Sequence, residues 1–188
     1  MDDTALVSLA KVKTMIPLFD TQYNTVLQEI INDVCAQAIE YMDLDFEQHT
    51  AHVEYVDGGS RTIFANCANL SNVRIWIDTD KKWNDENELD SSYFTVYGKR
   101  GVIKLNSGIF PAGLQIIKLR YDSGYAQNAL PKGLQGKLLK QITYEFRRRN
   151  DPGLTAVSFP DGSVQKWTLE EWLPDVQDEF DRWRRMTL

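Results

Sequence analysis

The hydrophobic period changes twice along this chain. It is helical up to about residue 42, alternates from about 50 to 125, and is helical again from about 130. A segment patterned for a helix cannot present one face as a strand, so these switches constrain the fold more than any other feature. The first helical segment is Ser8 to Ile16. Ser8 can cap it, Leu9, Val12 and Ile16 share a face, and Pro17 ends it. The second starts at Asp20 or Thr21 and runs to about Met42. Its apolar residues are Val26, Leu27, Ile30, Ile31, Val34, Cys35, Ala38, Ile39 and Met42. That stripe predicts a helix packed into a core.

The alternating middle predicts an antiparallel sheet of five or six strands. His52–Val56 and Arg61–Ala65 flank the turn Asp57-Gly58-Gly59-Ser60 and predict a hairpin. Val73–Ile77, Tyr93–Tyr97, Val102–Leu105 and Gln115–Tyr121 supply further strands, with turns at Gly98–Gly101 and Asn106–Gly108. Pro131 then opens a helix whose stripe is Leu134, Leu138, Leu139, Ile142 and Phe146, ending at Arg147-Arg148-Arg149. Residues 155–167 predict short strands or an arm around Pro160–Ser163. Thr168 and Glu171 form a capping box before a last helix bearing Trp172, Leu173, Val176, Phe180 and Trp183, with Pro174 confined to its first turn. The expected fold is α+β, with helices on one side of an antiparallel sheet and a C-terminal helix extending as a docking arm. Residues 1–150 form the body and 151–188 the arm and docking helix.

The chain has 188 residues, 43% of them hydrophobic, enough to bury a core without disulfides. No apolar run is long enough to span a bilayer, and the acidic start Met1-Asp2-Asp3-Thr4 does not resemble a signal peptide. Cys35 and Cys67 could pair, but a reduced intracellular chain is the simpler expectation. The net charge of −6 argues against a free-standing duplex-DNA binder. The acidity lies in residues 1–130, with 11 Lys/Arg against 18 Asp/Glu; residues 131–188 carry 10 against 9.

Catalytic motifs are scarce. His49 and His52 are three apart with neither cysteine near in sequence, so they read as surface residues and no metal is expected. Asp78-Thr79-Asp80 opens an acidic loop that has Trp83 and Leu89 where a calcium loop needs Gly and Glu. It reads instead as an acidic, mobile hairpin tip or interaction loop. Gly133–Gly136 lacks the Lys-Ser/Thr of a phosphate loop, and no nucleophile elbow occurs. No enzyme and no cofactor are expected. Arg147, Arg148 and Arg149 suit either a helix C-terminus or a contact to DNA or an acidic partner. In the last helix, Trp172, Phe180 and Trp183, flanked by Arg182, Arg184 and Arg185, suit either core packing or a partner interface.

Several motifs, in their order, resemble one known family. Leu119-Arg120-Tyr121-Asp122-Ser123-Gly124-Tyr125, then Leu130-Pro131 and the helix to Arg149, is similar to the late strand and Pro-initiated helix of the head–tail connector (adaptor) proteins of long-tailed double-stranded-DNA phages. The Ser-capped helix at 8–16, the helix ending Ile39-Glu40-Tyr41-Met42, and Trp172-Leu173-Pro174 with an Arg-rich close agree with it. The acidic stretch Asp78–Asp90 and the arm Thr155–Trp167 depart from the family pattern.

The resemblance implies a structural virion protein without an active site. It would form a homo-oligomeric ring, usually of twelve subunits, in the neck between capsid and tail, assembled in the host cytoplasm. Its partners would be further copies of itself, the portal protein, a tail-side connector or stopper, and DNA passing through the lumen without sequence-specific binding, with no membrane. Trp172, Phe180, Arg182, Trp183 and Arg184 would dock on the portal. Asp57, Asp80, Asp85 and Glu86 would face a neighbouring subunit or the tail side. Two rivals remain: a nucleic-acid accessory protein using Arg147–Arg149, and a hydrolase or carbohydrate-binding module using Trp76, Tyr93 and Tyr97.

Overall fold

The structure, a computed structural model, describes residues 6–16, 21–149, 156–158, 164–166 and 172–185. It is α+β, and it divides into a helical unit and a sheet unit. The first comprises the chain up to Met42 with Leu130–Arg184; the second comprises Asp43–Ala129 with the last residues from Arg185. The boundary expected at 150 falls outside the described residues.

The helical unit holds α1 (Leu9–Met15), α2 (Asn24–Met42), α3 (Lys132–Arg148) and α4 (Pro174–Trp183). Ser8 caps α1 as expected, its hydroxyl accepting from the Lys11 amide at 3.2 Å. The stripe of α2 narrows to Leu27, Ile31, Val34, Cys35, Ala38 and Met42; Val26 lies at the surface. The stripe of α3 matches the expected one and adds the buried Gln141. α4 begins at Pro174, its first residue, where a missing N–H costs nothing. The expected capping box at Thr168–Glu171 lies outside the described residues. A two-stranded antiparallel ribbon, Ala156–Ser158 with Val164–Lys166, lies between α3 and α4 in sequence; its expected turn at 160–163 is also outside them.

The sheet unit corrects two expectations. There is no single sheet of five or six strands. One three-stranded antiparallel sheet runs β1 (His49–Val56), β6 (Ile117–Ser123), β3 (Ser71–Ile77). The other runs β2 (Thr62–Phe64), β5 (Val102–Leu105), β4 (Phe94–Tyr97). The expected β1–β2 hairpin does not form. β1 pairs with β6 along its length, while β2 pairs with β5. The Asp57–Ser60 turn instead joins the loop before β6: Gly58 N–H donates to the Gly113 carbonyl at 2.9 Å and Gly59 N–H to Phe110 at 3.1 Å. A hairpin is entropically cheap to close, but β1 finds a much longer ladder on β6 than the three-residue β2 could offer.

Strand β6 is the central strand of its sheet, and Ile117, Leu119, Tyr121 and Ser123 are all buried along it. With Ile63, Ile75, Phe94, Ile103 and Phe110, the residues Ile117, Leu119 and Tyr121 form one core shared by both small sheets. Asp122, on the other face, holds two irregularities. Its carboxylate accepts from the Ala51 amide at 2.7 Å and from Asn72 Nδ2 at 2.6 Å, and Ala51 and Asn72 both have left-handed φ. These are the points where β1 and β3 slip register against β6. The Asn72 and Ala51 hydrogen bonds keep the Asp122 carboxyl below its ordinary pKa.

β6 ends at Gly124, with φ +81°, where a Cβ would stand 1.7 Å from the Glu47 carbonyl oxygen. Gly124→Ala should therefore destabilise the fold by at least ~1–3 kcal/mol from backbone strain, before the clash is counted. Denaturant unfolding of the variant against the parent measures this; equal midpoints would contradict it.

Candidate functional site

Three surfaces and one half-buried cluster carry the residues with chemical interest. The first lies on α4, whose inner face rests on α2 and α3. Trp172 and Phe180 are 3% and 0% exposed, and their rings meet edge to face at 4.9 Å, with Tyr41 of α2 6.2 Å from each. Polar contacts fix this helix in place. The Tyr41 hydroxyl donates to Asp181 Oδ1 at 2.7 Å and accepts from Gln177 Nε2 at 3.2 Å. The bond to Asp181, then burial, raises the Tyr41 pKa. The buried Gln141 accepts from the Leu173 amide at 3.1 Å, satisfying an N–H just ahead of the helix. Lys137 and Lys140 both reach the Asp175 carboxylate at 2.7 Å and draw its pKa down to about 2.

Of the five residues expected to anchor this helix to a partner, Trp172 and Phe180 are thus interior side chains of the helical unit. Arg182 and Arg184 are exposed. Trp183 is half-buried, its indole N–H donating to Glu179 Oε1 at 3.2 Å. The exposed side chains of this segment are thus on the outer face and at the C-terminal end of α4.

The acidic loop is not the tip of a hairpin. β3 and β4, which it joins, lie in different sheets. Asp78 organises the loop from within. Its carboxylate accepts from the amides of Asp80 (2.8 Å), Lys82 and Trp83 (both 2.9 Å) and from Asn87 Nδ2 at 2.9 Å. Partial burial pushes this carboxyl up, but the four donors outweigh it and hold its pKa below the ordinary value. Arg74 grips Glu88 with two nitrogens, and Leu89 N–H donates to the Ile75 carbonyl at 2.7 Å. Asp80 and Glu86 face solvent, and Asp80 makes only a long 3.4 Å pair with Lys82. Asp85 opens a short 3₁₀ turn. Asp57 is exposed and accepts from the Gln115 amide at 2.8 Å, tying the two loops beyond the sheet together. In the loop before β6, Ile109 and Leu114 are 65% and 76% exposed.

The arginine run is not a uniform basic patch. Arg149 folds back with its guanidinium 3.8 Å from the Phe146 ring and 4.9 Å from Tyr23, and donates to the Phe146 carbonyl. It closes the end of α3, as a helix C-terminus favours. Arg148 is half-buried and Arg147 exposed. The aromatic module suggested by Trp76, Tyr93 and Tyr97 does not form either. Trp76 is buried between Arg74 and Lys118, while the two tyrosines are exposed.

The fourth feature lies where the Tyr121–Tyr125 signature meets the start of β1. Gly124 N–H donates to the Ala68 carbonyl at 2.8 Å and Tyr125 N–H to Phe46 at 3.0 Å. Asp45 N–H donates to Asn66 at 2.8 Å, and its carbonyl accepts from Ala68 at 2.7 Å. These bonds hold residues 45–49 against residues 66–68. They gather Asp45, His49 and the buried Cys67, whose ligating atoms all lie within 4.8 Å of one another. His49 Nε2 is 2.8 Å from Asp45 Oδ2. Burial raises the Cys67 thiol pKa. Tyr121, Ser123 and Glu54 are buried around that thiol, and among the described residues Tyr121 OH, Ser123 Oγ and Glu54 Oε1 make no hydrogen bond of good geometry. Burial likewise raises the Glu54 and Tyr121 pKa values. Neither cysteine is in a disulfide. The cluster is not visible in the sequence, because Cys67 is distant from His49 along the chain.

Among the described residues, no helix is long and apolar enough to cross a membrane. No protein-family model matches the chain, and no curated protein does. Solved structures do. A chain in the neck of an empty gene transfer agent (GTA) particle, computed with C6 symmetry, superposes with a TM-score of 0.57 at 12% identity, covering 99% of this chain and 93% of that one. A chain of the native gene transfer agent virion gives 0.52 at 12% identity, with coverage of 99% and 93%. One from the native GTA neck, computed with C12 symmetry, gives 0.51 at 13%, with coverage of 98% and 91%. The chain thus shares its fold, over nearly its whole length, with chains of gene transfer agent particles.

Two predictions separate interior from surface on α4 and the residues that flank it. Trp172→Ala should cost ~3–5 kcal/mol of stability through the cavity it leaves. Arg182→Glu and Arg184→Glu should stay within about 0.5 kcal/mol of the parent. Thermal unfolding of the three variants distinguishes them. Asp175→Asn should cost a few tenths to about 1 kcal/mol at pH 7 and low salt, discounted because the carboxylate is partly exposed. A depressed carboxyl stabilises the fold above its unfolded pKa of about 4 and loses that contribution as pH falls toward 2, so the variant and parent should converge there. A gap that persists at pH 2 would contradict the ion-pair origin.

Proposed function

We propose that this chain is a structural neck protein of a tailed, phage-like particle: a head–tail connector subunit that assembles into a ring, of twelve copies, on the portal at the capsid vertex. The ring joins the portal to the next tail-side component, a connector or stopper, and leaves a central channel for DNA. The observation that carries this reading is the fold shared with gene transfer agent neck chains over nearly the whole of both chains.

Local features support it. A closed ring needs two different faces on each subunit, one fitting the other on its neighbour. The exposed Ile109 and Leu114 beyond the sheet, and the exposed Tyr93 and Tyr97, are apolar contact surface of that kind. The outer end of α4, with Arg182, Trp183 and Arg184, is the proposed portal contact. Asp57, Asp80, Asp85 and Glu86 are proposed for the neighbouring subunit or tail side. A lumen that lets DNA slide should not grip it, and a chain of net charge −6 suits that. The alternative, a nucleic-acid accessory protein using Arg147–Arg149, has weaker support, because Arg149 is turned onto Phe146 and Tyr23.

The test is the mass of the purified chain, alone and mixed with a portal ring, by light scattering with negative-stain imaging. A ring on the portal, lost in an Arg182→Glu/Arg184→Glu double variant that remains folded, is the expected outcome. No portal binding by the parent, together with salt-dependent DNA binding by the free chain, would replace this reading with the nucleic-acid one.

A further inference from the structure

We propose that Asp45, His49 and Cys67 bind one divalent transition-metal ion of the zinc class, as a structural clasp at the base of the β1–β6–β3 sheet. The proposal does not depend on the neck reading. The donor set is one thiolate, one imidazole and one carboxylate, each an ordinary zinc ligand. Zinc binds sulfur at about 2.3 Å and nitrogen or carboxylate oxygen at about 2.0–2.2 Å, which puts tetrahedral ligand atoms roughly 3.4 Å apart. The three atoms here already lie within 4.8 Å of one another, and His49 Nε2 and Asp45 Oδ2 are at 2.8 Å, so they need only part slightly.

The backbone is organised for this. Asp45 is bonded on both sides of its peptide to residues 66 and 68, so the carboxylate and the Cys67 sulfur are set by the same two hydrogen bonds. The other carboxylate oxygen, Oδ1, accepts from the Glu47 amide at 2.8 Å, which leaves Oδ2 as the oxygen that faces His49. His49 pairs in register with Ser123 of the central strand.

A second observation points to a ligand. Buried polar groups are nearly always satisfied, yet among the described residues Ser123 Oγ and Tyr121 OH, both on side chains more than nine-tenths buried, make no hydrogen bond of good geometry and interact with the Cys67 thiol, a weak acceptor. A thiolate bound to a cation gives both hydroxyls an acceptor of real strength, and they serve as its outer shell. Metal binding displaces the thiol proton to solvent, and a water completes the fourth position.

Cobalt(II) titration of the purified chain under reducing conditions tests the site, because tetrahedral cobalt–thiolate has a near-ultraviolet charge-transfer band and strong visible bands. One cobalt per chain, displaced by zinc(II), is expected. Cys67→Ser should abolish the charge-transfer band. His49→Ala should weaken binding by more than ~100-fold, since outer-shell losses alone reach that size. Cys35→Ser, in the helical unit, should leave the band intact. A parent chain without the band in excess cobalt, or a band that survives Cys67→Ser, overturns the proposal. If Cys67→Ser does not fold, Asp45→Asn and His49→Ala decide the matter: these are partly exposed positions, and unchanged cobalt affinity in both overturns it equally.

Discussion

The sheet unit depends on one strand. β6 hydrogen-bonds to β1 on one side and β3 on the other, and its inward residues run through the centre of the core. A central strand has no free edge, so each of its backbone groups is satisfied only if both neighbours stay in register. Asp122 secures that register at the two bulges, where Ala51 and Asn72 adopt left-handed backbone that side chains ordinarily avoid. Gly124 then ends the strand where only a residue without a Cβ can pass the Glu47 carbonyl. The two-sheet arrangement, the reassigned partner of β1 and the Asp45–His49–Cys67 cluster all follow from where β6 lies and how it stops.

The helical unit is joined by a different means. Its apolar stripes bury surface without direction, whereas its buried and half-buried polar contacts select one placement of α4. Gln141 on α3 meets the Leu173 amide, Lys137 and Lys140 meet Asp175, and Tyr41 on α2 meets Asp181. Hydrogen bonds of this kind contribute modestly when made but leave costly unpaired groups when broken, so they specify orientation more than they add stability. That division sorts the aromatic and basic residues of α4. The rings of Trp172 and Phe180 serve the interior, while Arg182 and Arg184 stay exposed, one paired with Glu179 and the other over the Tyr41 ring.

Charge works in the same way on the sheet unit. The acidic residues of the 78–90 loop do not act together. Asp78 turns inward and is consumed by four donors, Glu88 is gripped by Arg74, and Asp80 and Glu86 remain on the surface. A loop built around an internal carboxylate presents its outer charges on a defined frame.

Local structure was legible in the sequence wherever its cause was local. Helical periodicity located all four helices, Ser8 acted as the cap it resembles, and Pro174 took the first helical position because its ring allows little else. Six of the strands were visible as alternating runs. Their partners were not, because pairing is decided by competition among distant segments: the Asp57–Ser60 turn promised a hairpin that the longer β6 ladder displaced. The aromatic and acidic residues were visible as types, but whether Trp172, Trp76 or Asp78 faces solvent depends on which surface the folded chain lays against it. Asp45, His49 and Cys67 carried no signal of proximity, since two backbone hydrogen bonds between remote segments bring them together. Composition and period determined the elements; the tertiary structure decided partners, burial and sites, because those depend on contacts between residues far apart in the chain.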